Sequence, residues 1–195
     1  MDKFVSKNMK SAKLAACISA MLGLPATTQG AEIVVDSISL AVAEDGQCSL
    51  AEAIDNANLD SRGFQTEGEC ATGSGGDRLI LPSQASGYVG DSLPTINSAI
   101  SIQGNNSEIR TGADLFLVES GGNLTIDNLR LRGSYFEYNS AIVTETQSAT
   151  RLSNVTIHRF EGTAIRNAGR LQIEDSTIDR NYGVSIGGIE NSGIL

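Results

Sequence analysis

The sequence predicts an all-β fold, a right-handed parallel β-helix solenoid with three strands per coil and a short N-terminal capping α-helix. Three series of aliphatic residues predict it. The pairs Ile100-Ser-Ile102, Leu124-Thr-Ile126, Thr150-Arg-Leu152 and Leu171-Gln-Ile173 recur at steps of 24, 26 and 21 residues. A second series runs through Leu129-x-Leu131, Val155-x-Ile157 and Ser176-x-Ile178, and a third through Ile142, Ile165 and Ile189. Each repeat therefore holds three short segments that alternate inward and outward, the period of strands and not of helices. The handedness is that of known parallel solenoids.

Taken in chain order, the first element is a leader. Lys3, Lys7, Lys10 and Lys13 precede an apolar run from Leu14 to Leu24, and small residues continue to Ala31. This is the pattern of a secretory signal peptide over residues 1–31, with the cut between Ala26 and Ala31. The run is too short for a bilayer span, which needs about twenty residues. Cys17 opens the apolar run instead of following it, so it belongs to the discarded segment and not to a lipoprotein box.

Every lysine lies in that leader. Of the fourteen basic residues ten remain from Glu32 onward, all Arg, against 22 of the 23 acids, a formal charge of −12. So acidic a surface repels phosphate backbones, which argues against nucleic acid as a partner. Only Cys48 and Cys70 remain after cleavage, an even count in an oxidising compartment. They are expected to bond to each other, the alternative being two free thiols.

Residues 32–82 read as an N-terminal capping module. Ser49 followed by Glu52 is a capping box at a helix start, and Leu50, Ala53, Ile54 and Ala57 then form one apolar stripe. A stack of strands leaves its first coil with an exposed apolar cross-section and unpaired edges; the helix is placed to cover that end. Cys48 and Cys70 would pin it against the turn Gly73-Ser74-Gly75-Gly76 and the run Leu79-Ile80-Leu81, the candidate first full coil. Asp45-Gly46-Gln47-Cys48-Ser49-Leu50-Ala51-Glu52-Ala53-Ile54, with Ala57-Asn58, Cys70 and Gly75-Gly76-Asp77-Arg78-Leu79-Ile80-Leu81-Pro82, resembles the N-terminal module of secreted bacterial repeat proteins named for a C-S-L-R-E-A motif. Ala51 stands where that motif has Arg. The resemblance implies pectin-lyase-like β-helix repeats after the module and a secreted or bacterial outer-surface location.

Residues 83–195 are the coils. Asn128, Asn154 and Asp175 mark the corner after the first strand, and Asn167 and Asn191, each followed two residues later by Gly169 or Gly193, the corner after the third. Asn and Gly tolerate left-handed backbone, and stacked Asn side chains hydrogen-bond along the axis. The sequence stops at Ile194-Leu195, two residues into a new coil, and is read as truncated mid-coil.

Chemistry converges weakly. Along the second strand the outward positions stack as Arg130, Thr156 and Thr177, and beside them Arg132, His158 and Asp179. This second column joins a base, a cation and an acid. Under a polysaccharide lyase or hydrolase reading, acting on acidic glycans, carboxylates would hold calcium next to an arginine that removes a proton alpha to a carboxylate, and the column Asp127, Ser153 and Glu174 could join it. Arg132, His158 and Asp179 are therefore the catalytic candidates, although alternating charges also suit any solvated parallel face. His158 is the sole histidine, which excludes a histidine-only metal cluster, and two cysteines cannot make a four-cysteine zinc site; no metal site or other cofactor is predicted. The leading reading is an exported, non-enzymatic surface or extracellular module of adhesin or passenger type, with glycans or a host or neighbouring cell surface as partners and no transmembrane helix in the mature chain.

Overall fold

In a computed structural model, residues 29–63, 69–134, 138–183 and 186–195 are described; most of the segment expected to be a leader, Cys17 included, lies outside them. The chain is an all-parallel β-solenoid of about five turns, and the described residues hold one short helix, with 44% of them in strands and 6% in the helix.

The first-strand ladder runs β1 (Gln29–Val34), β2 (Gly76–Ile80), the first half of β4 (Ala99–Thr111), the first half of β6 (Asn123–Arg132), β8 (Ala149–Ser153) and β11 (Arg170–Glu174). A second ladder runs β3 (Ser86–Val89), the second halves of β4 and β6, β9 (Thr156–His158) and β12 (Thr177–Asp179). A third sheet stacks β5 (Phe116–Val118), β7 (Ile142–Thr144), β10 (Ile165–Asn167) and β13 (Ile189–Asn191). Every pairing is parallel, and the registers join the residues that the repeat steps align. Ile102 meets Ile126, Ile126 meets Leu152 and Leu152 meets Ile173; Leu131 meets Ile157, and Ile157 meets Ile178. The aliphatic members fill one continuous core, with Ile102, Ile126, Leu131, Leu152 and Ile157 at most 1% exposed. Ile173, Ile178 and Ile189 are only partly buried, because they lie in the last coil and have coil neighbours on one side alone.

The predicted corners divide two roles between them. Asn128, Asn154 and Asp175 adopt left-handed backbone with φ of 57°, 53° and 47°, and Asn105 and Asn106 do the same one coil earlier. Such short polar residues tolerate this region better than others with a Cβ, and the chain can turn there from the first strand into the second. Asn167 and Asn191 instead end third strands. The buried Asn167 amide donates to Asn191 Oδ1 at 2.6 Å, a rung of an asparagine ladder. The glycines that follow them are required by closeness: a Cβ at Gly193 would fall 2.1 Å from the Gly169 carbonyl oxygen.

The helix α1 (Leu50–Leu59) starts as its sequence dictates. Glu52 N–H donates to Ser49 Oγ at 3.2 Å, and Ser49 N–H donates to Glu52 Oε2 at 2.9 Å. It ends at Asp60, whose left-handed backbone lets its N–H donate to the Asn56 carbonyl. Leu50, Ala53, Ile54 and Ala57 are all fully buried in the same core as Ile33 and Leu79. Cys48 and Cys70 are disulfide-bonded with Cα atoms 4.7 Å apart. The stack begins one rung earlier than Leu79-Ile80-Leu81: β1 pairs along β2, setting Ile33 beside Leu79. The rung that β1 opens is completed by other means. The Ile38 backbone lies against Gly87 of β3, and Asn58 of α1 donates to the Thr95 carbonyl at 2.6 Å. An acid occupies an inward position here. Asp77, aligned with Ile100 and 1% exposed, accepts from Ala31 N–H at 2.6 Å and Ser74 N–H at 2.9 Å, so its carboxylate serves the cap where an aliphatic serves the later coils.

Ile157 is fully buried and Thr156 half-exposed. Ile157→Asp is therefore expected to lose several kcal/mol, since it buries an unpaired carboxylate, and Thr156→Asp about 0.5 kcal/mol or less. Thermal melts of the two variants check this, and equal losses would place the register wrong by one residue. Replacing both Cys48 and Cys70 by Ser is expected to cost about 3 kcal/mol, read by denaturant unfolding with and without reductant; a wild-type midpoint indifferent to reductant would contradict the bond.

Candidate functional site on the second-strand face

The second-strand ladder sets two outward columns side by side. One is Ser86, Glu108, Arg130, Thr156 and Thr177; the other is Tyr88, Arg110, Arg132, His158 and Asp179. The predicted stack of Arg132, His158 and Asp179 is present in register, one residue per coil. Both columns extend further than the sequence reading took them: Ser86, Tyr88, Glu108 and Arg110 were missed. Their signal was a step of 22 residues, from Glu108 to Arg130 and from Arg110 to Arg132, hidden because Ser107 stands at an inward position aligned with Leu129. That serine is fully buried and satisfied: its hydroxyl donates to the Pro82 carbonyl and accepts from Ala85 N–H.

Within the column two of the three candidates, Asp179 and Arg132, turn to other partners. The Asp179 carboxylate accepts from Arg180 Nε at 2.9 Å. Arg132 Nη1 lies 3.9 Å from Glu108 Oε1, and the same oxygen is 3.9 Å from Arg110 Nε. Two guanidinium groups thus share one carboxylate oxygen at the outer limit of ion pairing, on side chains that are both partly exposed. Burial pushes the His158 imidazole below its ordinary value of 6.5; Arg159 and Arg132 push the same way, while Glu108 and Asp179 oppose them. At neutral pH the ring is thus a neutral member of a charged column.

Beside this column lies an open depression of about 550 Å³ lined by Gln84, Ala85, Ser86, Asn106, Glu108 and Arg130. Asn106 and Gln84 hold left-handed backbone, with φ of 61° and 53°. The depression therefore follows from the corner that bends β4 from its first face to its second.

The column Asp127, Ser153 and Glu174 also stacks in register. Its acids are engaged. Asp127 accepts from Asn154 Nδ2 at 3.0 Å and Gln103 Nε2 at 3.1 Å, and the Asn154 bond chiefly holds its carboxyl below the ordinary value. Glu174 pairs with Arg151 at 3.1 Å. Among the described residues no three His, Cys, Asp or Glu side chains gather where they could hold a metal ion.

Comparison with protein-family models finds no match, and comparison with curated proteins and with solved structures finds none either. The parallel β-solenoid stands on the geometry alone. No helix among the described residues is long and apolar enough to cross a membrane.

A single histidine makes the column testable by one resonance. The His158 titration midpoint measured by NMR is expected below 6.5, to rise in Arg132→Ser, which removes a repelling cation, and to fall further in Asp179→Asn, which removes a stabilising anion. Because the unfolded chain binds the proton more tightly, this group's contribution to stability is present above pH 6.5 and is lost as pH falls to the folded midpoint. Shifts of the same sign in both variants would contradict the electrostatic reading.

Proposed function

We propose that the chain is an exported β-helix module of the cell surface or extracellular space, binding or structural in role and not enzymatic, in the manner of an adhesin or passenger domain. The observation that carries this reading is the second-strand column, in which the candidate acid and cation each pair away from the candidate base. Asp179 goes to Arg180 and Arg132 to Glu108, while His158 makes no hydrogen bond through its ring to a described residue. A proton-transfer constellation would need such groups within reach of one shared point. The reading also draws support from the leader pattern of residues 1–31, from a disulfide suited to an oxidising compartment, and from the likeness of residues 33–82 to the C-S-L-R-E-A-type module of secreted repeat proteins.

The protein expressed with its own N-terminus in a bacterial host is expected outside the cytoplasm, shortened at its start, with Cys48 and Cys70 oxidised. Purified, it is expected to release no unsaturated uronide from polygalacturonate or alginate, with or without calcium. Full-length reduced protein held in the cytosol would overturn the export reading. Calcium-dependent cleavage, abolished by Arg132→Ser, would replace the binding role with a lyase.

A further inference from the structure

We infer that the second-strand face is a recognition site for an acidic sugar carried on an otherwise uncharged glycan, its oxyanion held by Arg130 with Arg110 and Arg132. The inference rests on the binding-module reading and names its ligand class. The chain from Glu32 onward has ten arginines and no lysine in a body of net charge −12. Five of the ten lie here: Arg110, Arg130 and Arg132 on the strands, and Arg159 and Arg180 in the corner that follows. Arg159 and Arg180 are adjacent in the stack, since Arg159 N–H donates to the Arg180 carbonyl at 3.1 Å. The acids on the second-ladder segments of these strands are two, Glu108 and Asp179, while Asp127 of β6 lies on the first-strand face. Arg130 is exposed and makes no ion pair with a described residue, and Arg110 and Arg132 share Glu108 only at 3.9 Å. Their planar forks retain free donors suited to a carboxylate or sulfate.

The surroundings favour a sugar over other anions. Gln84, Ser86 and Asn106 line the depression beside Arg130 with amide and hydroxyl groups, the partners that sugar hydroxyls need. Tyr88, 60% exposed and one rung from Arg110, offers an apolar ring face to a pyranose. A lipid surface would call for large apolar side chains to insert, and the lining supplies only the methyl group of Ala85. The acidic body adds selectivity by charge density. Beyond about 8 Å of screening length at physiological salt an approaching polyanion meets the net negative protein, whereas one isolated acidic group meets only the arginines. The site is thereby tuned to sparse charge.

Calorimetry of the purified protein with sialyllactose, 3′-sulfolactose, lactose and polygalacturonate tests this. Binding of either acidic trisaccharide or disaccharide is expected, with lactose at least about tenfold weaker, the worth of one charge-assisted contact; which of the two binds identifies the oxyanion as carboxylate or sulfate. Arg130→Ala is expected to lose about tenfold. Arg151→Ala, which removes the same charge from the first-strand face, is expected to bind as wild type, and superimposable thermal melts keep the comparison free of folding effects. Equal binding of lactose and its acidic forms, binding of none, equal loss in Arg151→Ala, or tighter binding of polygalacturonate per sugar would each overturn the inference. Export without lyase activity would meanwhile leave the binding-module reading standing.

Discussion

Parallel pairing in register makes each residue's environment the property of the residue one coil away. Strands of neighbouring coils lie about 4.8 Å apart, so Ile102, Ile126, Leu152 and Ile173 form a single column, and so do Arg110, Arg132 and His158. The core is one-dimensional in consequence. A coil buries its aliphatics against its two neighbours and against little else, and the partial exposure of Ile178 and Ile189 in the last coil is the direct expression of a missing neighbour. The same rule governs charge: like groups on one offset are forced together, and only intervening residues such as Glu108 relieve them.

The first coil faces the same problem from the other direction, and its solution is chemically different. The chain carries one strand, β1, into the ladder and closes the remainder with α1. The cap then relies on buried carboxylates as organisers of backbone. Glu52, 1% exposed, accepts from Ser49 N–H and also from Ala43 N–H at 2.9 Å. Asp77 accepts from Ala31 and Ser74 N–H groups. Donors that regular ladders would have satisfied are met by side chains, and the disulfide holds together the segment that does this work.

Much of this was legible in the sequence because stacking repeats its signal. The three aliphatic series gave the strands and registers, and the Ser49 to Glu52 spacing with the Leu50, Ala53, Ile54 and Ala57 stripe gave the helix and its buried side. What escaped did so where periodicity is interrupted. β1 pairs with β2 across the whole inserted cap, Gln29 with Gly76, so no repeat step points to it. The outward extension through Tyr88 and Arg110 was obscured by Asn105 and Asn106, which add a second left-handed residue to that corner, and by Ser107 in place of an aliphatic. For the candidate site, the alignment of Arg132, His158 and Asp179 could be read from spacing. Where their side chains turn could not, because Arg180 and Glu108 compete for them from neighbouring positions.

Between second and third strands the sequence places four, nine, six and nine residues (112–115, 133–141, 159–164 and 180–188), whereas between first and second strands it places at most five (81–85) and none within β4 and β6. The longest connections thus fall on a single edge of the solenoid. There, residues can be added or removed while the rungs on either side keep their pairing. That edge is where a lineage could diversify, or an engineer graft a foreign loop, at little cost to the stack beneath it.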